Sequence, residues 1–146
     1  MIKFDTIDVM MPQLDFGLVR EWICQVTDGC GYRVGELYYH FCSDEALLDI
    51  NQKRLGHDFY TDIVTFPFVD EGDMISSEFC ISLDRVAENS LQFGRSFESE
   101  LLRVMIHGVL HLVGYDDHTG EDIAAMRNKE EESLKIYYNN LNINKV

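Results

Sequence analysis

Residues 107–118 read His107-Gly108-Val109-Leu110-His111-Leu112-Val113-Gly114-Tyr115-Asp116-Asp117-His118. The preceding Val104-Met105-Ile106 and the internal Val109-Leu110 are apolar, which predicts a helix packed into a core, from Glu100 to about Val113. Ser96 or Ser99 offers its N-cap, and Gly114 stops it. Histidines four apart then stack on one face of that helix, where two imidazoles can grip one ion. Gly114 lets the chain turn, so Asp116, Asp117 and His118 lie close enough to supply a third ligand. Three protein ligands leave a position open for water, the pattern of a catalytic rather than a structural zinc site. A bare HxxxH is a weak signal, since two histidines at that spacing are common on amphipathic helices. The reading gains force because three of the five histidines and two aspartates fall within these twelve residues.

The elements around this helix follow from hydrophobic spacing. Ile2 to Met10 reads as a strand, and Leu14 to Ile23, after Pro12, as an amphipathic helix ended by Asp28-Gly29-Cys30-Gly31. Glu36 to Cys42 is an aromatic-rich strand, and Ser43 caps a helix that runs to Arg54. Leu55 to Tyr60 is a loop. Ile63 to Phe66 is a strand stopped by Pro67, Asp70 to Asp73 an acidic turn, and Glu78 to Leu83 another strand. Asp84 is expected to cap a short helix to Phe93, broken by Gly94. A last helix runs from Thr119 to Tyr138, and the tail Asn139 to Val146 is expected to fray. The order β-α-β-α-β-β-α-α-α predicts an α+β fold, with a small mixed sheet packed by helices. With no repeat, linker or low-complexity stretch, residues 1–146 are expected to form a single domain.

Composition narrows the function. A hydrophobic fraction of 46% over 146 residues is ample for one core. The start lacks the pattern of a signal peptide, and no stretch approaches the length of a membrane helix. The expectation is a cytoplasmic protein with no membrane partner. Cys24, Cys30, Cys42 and Cys80 form no CxxC pair and read as reduced, packed thiols. A net charge of −14 rules out a surface that binds nucleic acid everywhere. Any RNA contact must come from a local basic patch or from the metal. The peptidase motif HExxH places its general base directly after the first histidine. Here that residue is Gly108, which counts against proteolysis.

The run from His107 to Asp116 resembles the HGxLHLxGYD core of the YbeY endoribonucleases. A second block agrees: Ile50-Asn51, Asp58 and Thr61-Asp62-Ile63-Val64-Thr65-Phe66-Pro67 resemble that family's LN…D.pTDVLSFP segment. Glu100 fits the family's acidic lead-in, and Met126 falls where a methionine follows the loop. The resemblance covers roughly the C-terminal two-thirds of the chain. It implies a bacterial, cytoplasmic α+β protein with one Zn2+ on a helix and the following loop, zincin-like, other divalent metals being acceptable. It also implies a single-strand-directed endoribonuclease of ribosomal RNA processing, including small-subunit RNA maturation. The implied partners are ribosomal RNA and the small ribosomal subunit; DNA is not expected.

Two departures stand out. The family's third ligand, in H-x3-H-x5-H, aligns with Asp117, while His118 lies one residue later. The ungapped register favours His107, His111 and Asp117 as the metal ligands. The family's arginine in the helix before the Thr61 block aligns with Leu55, so Arg54 or His57 is expected to supply the catalytic cation. Two other readings remain open at this point: a metallopeptidase-like hydrolase, and a non-catalytic ribosome-associated factor with a structural metal.

Overall fold

The computed structural model of the protein describes residues 1–69 and 71–144. Among these residues the chain forms β1 (Ile2–Thr6), α1 (Phe16–Gly29), β2 (Arg33–Cys42), α2 (Asp44–Leu55), β3 (Ile63–Pro67), β4 (Met74–Ser82), α3 (Leu83–Phe93), α4 (Phe97–Leu112) and α5 (Gly120–Asn144). The strands join in the order β1-β2-β4-β3. β1, β2 and β4 run parallel, and β3 closes the sheet antiparallel to β4. The predicted α+β fold with a small mixed sheet is the one observed.

Alternation along the strands separates two faces of the sheet. Leu37, Tyr39 and Phe41 of β2, with Phe79 and Ile81 of β4, are fully buried on one face. They form one core with the apolar sides of α1, α4 and α5. Two hydrogen bonds fasten this layer. The Tyr39 hydroxyl donates to the Met105 carbonyl at 3.0 Å, and Trp22 Nε1 donates to the Ser133 carbonyl at 2.7 Å. The opposite face is only partly covered. There α2 contributes Leu47 to a small cluster with Cys42, Val64 and Cys80. The rest of that face carries polar side chains, His40 and Glu78 among them.

At Gly108, α4 lies directly against the sheet. A Cβ there would sit 2.7 Å from a Phe79 ring carbon and 3.0 Å from the Ile63 side chain. A methyl group would force the helix off β4 and β3, at a cost of about 1–3 kcal/mol. The residue that replaces the peptidase base therefore faces the core, not solvent.

Several boundaries differ from the sequence-based expectations. β1 ends at Thr6 rather than Met10. Ser82, not Asp84, caps α3, accepting from Arg85 N, while Asp84 sits in the first turn. β4 begins at Met74 rather than Glu78, because pairing with β2 starts at Arg33↔Met74. α5 continues through Asn144 rather than fraying from Asn139. Asn140 Nδ2 donates to Gln25 Oε1 at 2.9 Å, and Leu141 packs on the core, which holds the last turns. Asp70 of the predicted acidic turn, and Lys145 and Val146 of the predicted tail, lie outside the described residues.

Candidate metal centre

Ser96 caps α4 by accepting from Ser99 N, and the helix carries His107 and His111 one turn apart. Their rings meet edge to face, and their Nε2 atoms face each other at 3.0 Å. The chain then reverses. Tyr115 N donates to the Leu110 carbonyl at 3.0 Å and Gly114 N to the His111 carbonyl at 3.1 Å. This paired 6→1 and 5→2 arrangement needs a left-handed residue, which Gly114 supplies with φ +105°. Beyond the loop, Thr119 and Asp122 bond each other's backbone amides at 3.1 and 3.3 Å, a reciprocal cap at the start of α5. Fixed at both ends, the loop returns Asp117 over the histidines.

Asp117 Oδ2 lies 3.4 Å from His111 Nε2 and 3.8 Å from His107 Nε2. The three donor atoms lie within 4.8 Å of one another. Donors held at zinc bond lengths in a tetrahedral set stand about 3.4 Å apart, so these separations suit one ion. The donor chemistry fits too, since imidazole and carboxylate are both zinc ligands. All three residues are partly open to solvent, which leaves access to a fourth position. His118, the alternative third ligand, is exposed and stands outside this group. His107, His111 and Asp117 could therefore hold a metal ion.

Behind the donors lies a buried charge network. His107 Nδ1 donates to Glu130 Oε2 at 2.6 Å. That bond turns Nε2 of His107 toward His111 and Asp117. Arg103 bridges Glu130, at 3.2 Å to both oxygens, and Glu100, at 2.7 and 2.9 Å. Asp62 stands 3.9 Å from the same guanidinium. Glu100 is wholly buried and Glu130 nearly so. Burial alone would raise the Glu130 carboxyl, but the bond to His107 and the Arg103 charge outweigh it and hold the group below its ordinary value. For Asp62, burial wins over the attraction of Arg103, and its carboxyl is pushed up.

Sequence reasoning missed Glu130 and Arg103. Glu130 hides in the run Lys129-Glu130-Glu131-Glu132, which reads as a solvated face. The available signal was spacing: Met126, Glu130, Leu134 and Tyr137 form one buried stripe of α5. Glu130 meets the far ring nitrogen of His107.

The second sequence block builds the approach to this centre. Asn51 is buried, and its Nδ2 donates to the Phe59 carbonyl at 3.1 Å. Gln52 bonds Asp58. These contacts hold the loop that delivers Asp62 to Arg103. Arg54 lies elsewhere. Its guanidinium stacks 3.7 Å over the Phe66 ring and stands 3.8 Å from Glu78, on the sheet face away from α4. His57 is exposed and stacks on Phe59 in the loop. Leu55 ends α2, partly exposed. The structure thus joins His107, His111 and Asp117; Arg54 pairs with Glu78 on the other face of the sheet, and His57 is not among the grouped donors.

This α+β fold offers, from a helix and its following loop, a two-histidine, one-aspartate set that could hold a metal ion. The comparisons give the family. The sequence model of the family described as Endoribonuclease YbeY matches residues 11–138, and the chain belongs to that family. A relative from Bacteroides thetaiotaomicron, named Endoribonuclease YbeY, is 41% identical over 92% of this chain and 98% of its own. One of the same name from Porphyromonas gingivalis is 44% identical over 91% of this chain and 87% of its own. The solution structure of TM1509 from Thermotoga maritima superposes with a TM-score of 0.61 at 27% identity, over 96% of this chain and 93% of that one. The match extends further toward the N-terminus than the two motif blocks alone.

Proposed function

We propose that the protein is a zinc-dependent endoribonuclease that cleaves single-stranded RNA in ribosomal RNA processing, including maturation of the small-subunit RNA, in the cytoplasm. Membership in an endoribonuclease family supports the RNA-cleaving reading. The observation that carries the metal dependence is the convergence of His107, His111 and Asp117, with Glu130 behind His107. A divalent ion held there supplies a Lewis acid and lowers the pKa of water at the open position.

The chain's own residues do the rest. Glu130 fixes the tautomer and aim of His107, and Arg103 keeps Glu130 charged inside the fold. Asp117 replaces an imidazole with a carboxylate, so the ligand set is harder and less positive than three histidines. No donor side chain at position 108 competes for the proton-transfer role, because Gly108 faces the sheet. RNA extends on either side of the bond that breaks, so cations apart from the donors can hold flanking phosphates. Arg54 and His57 are proposed for that task, and the ribosomal small subunit is the proposed partner.

Cleavage of a single-stranded RNA by the purified protein, with and without His111→Ala, tests the reading. Zinc-dependent cleavage by the wild type and none by the variant supports it. Equal cleavage by both overturns it and points to a contaminating nuclease.

A further inference from the structure

We infer that Arg127 is the residue that receives an RNA phosphate beside the metal centre; the inference rests on the RNA-cleaving reading above. A cavity of about 210 Å³ adjoins the centre. His107 and Asp117 form one side, and Arg103 of α4 with Ile123, Met126, Arg127 and Glu130 of α5 line the rest. An anionic substrate at the donors meets a wall that includes two arginines, Arg103 and Arg127.

Only one of the two has charge to offer. Arg103 is surrounded by Glu100, Glu130 and Asp62, and its fixed bonds to the first two leave it committed to the fold. Arg127 is exposed and enters no ion pair among the described residues. Its helical neighbour four residues on, Glu131, is taken by Arg95. Burial of Met126 and Glu130 on either side of it in the helix fixes the rotation of α5, and with it the cavity-facing position of Arg127. Arg54, by contrast, faces Glu78 on the far side of the sheet. In a chain of net charge −14, an uncommitted guanidinium at the mouth of the centre is the local basic element that RNA binding requires.

Steady-state cleavage of a single-stranded RNA across a salt series tests the inference, with wild type, Arg127→Ala and Arg127→Lys. The expected result for Arg127→Ala is a KM raised about tenfold, from loss of one charge-assisted contact. The slope of log kcat/KM against log salt should become shallower by about 0.7, the contribution of one phosphate on a single strand. Arg127→Lys keeps the charge and should restore the slope while regaining only part of the KM. Melting temperature and zinc content should match the wild type in both. A wild-type KM and slope in Arg127→Ala overturn the inference and leave the RNA-cleaving reading standing. A lowered melting temperature that tracks the lost activity also overturns it, by making Arg127 structural. A wild type that cleaves no RNA fails the broader reading, and the inference with it.

Discussion

Two histidines in this protein sit between carboxylates, and only one of them belongs to a centre. His40, on the open face of the sheet, has Asp5 at 2.5 Å from Nδ1 and Glu78 at 3.4 Å from Nε2. Both ring nitrogens are occupied, so none is left for a ligand. His107, at the inner layer, has one nitrogen tied to Glu130 and the other turned toward His111 and Asp117. The supporting cations differ in the same way. Arg54 beside Glu78 is about half exposed, at 53%, whereas Arg103 beside Glu130 is 12% exposed. Similar residue types give a solvated ion-pair patch in one place and an oriented donor set in the other. Burial of the supporting carboxylate makes the difference.

The largest expected effect is on the donors. His107→Ala should abolish zinc retention and RNA cleavage, with a loss beyond the roughly 100-fold typical when only a supporting partner is removed. His40→Ala should leave both near wild type. A strong loss of zinc in His40→Ala would erase the distinction between the two histidines.

Glu130 comes next. Glu130→Ala removes one of the two carboxylates bonded to Arg103 and leaves His107 Nδ1 unpaired, and should lower stability by about 1–3 kcal/mol in chemical denaturation. Glu130→Gln keeps the shape and should weaken zinc binding by roughly 10–100-fold. On the open face, Arg54→Ala should cost no more than about 1 kcal/mol, since its partner pair is solvated.

The same carboxylate sets an acid limb. The Glu130 value lies below the ordinary 4.5 in the folded protein. The unfolded chain therefore binds its proton first as pH falls. The stabilisation is complete above the ordinary value and disappears as pH drops through the lowered one. Glu130→Gln should flatten that limb in melting temperature against pH, while His40→Ala should leave it unchanged.

The element order and the His107–His111 pair were legible because each rests on local chemistry, helical spacing and the Gly114 turn. Those alone left Asp116, Asp117 and His118 open, and Asp117 was singled out by the register of the family resemblance. Glu130 and Arg103 were not legible, because their meaning depends on α5 folding back on α4 across more than a full helix. The setting of Arg54 was not legible for a related reason. Its position in the chain is close to the Thr61–Pro67 block, but α2 lies on the other face of the sheet, and adjacency in sequence does not survive that crossing. The start of β4 and the end of α5 were missed because long-range pairing and packing, not local pattern, set them.

The smallest effect concerns the thiols. Burial pushes Cys42 up to about 12 and Cys80 up to about 11, while Cys24 is exposed. A thiol reagent at pH 8 should therefore label Cys24 readily in the native protein and reach Cys42 and Cys80 only on unfolding. Rapid native labelling of Cys80 would show that the small cluster beneath α2 opens easily.

Zinc titration of the metal-free wild type, Asp117→Ala and His118→Ala tests the donor set most directly. The account predicts one tightly held ion in the wild type, an unchanged value in His118→Ala, and a large loss in Asp117→Ala. No bound ion in the wild type, or a loss in His118→Ala with Asp117→Ala unaffected, would contradict it.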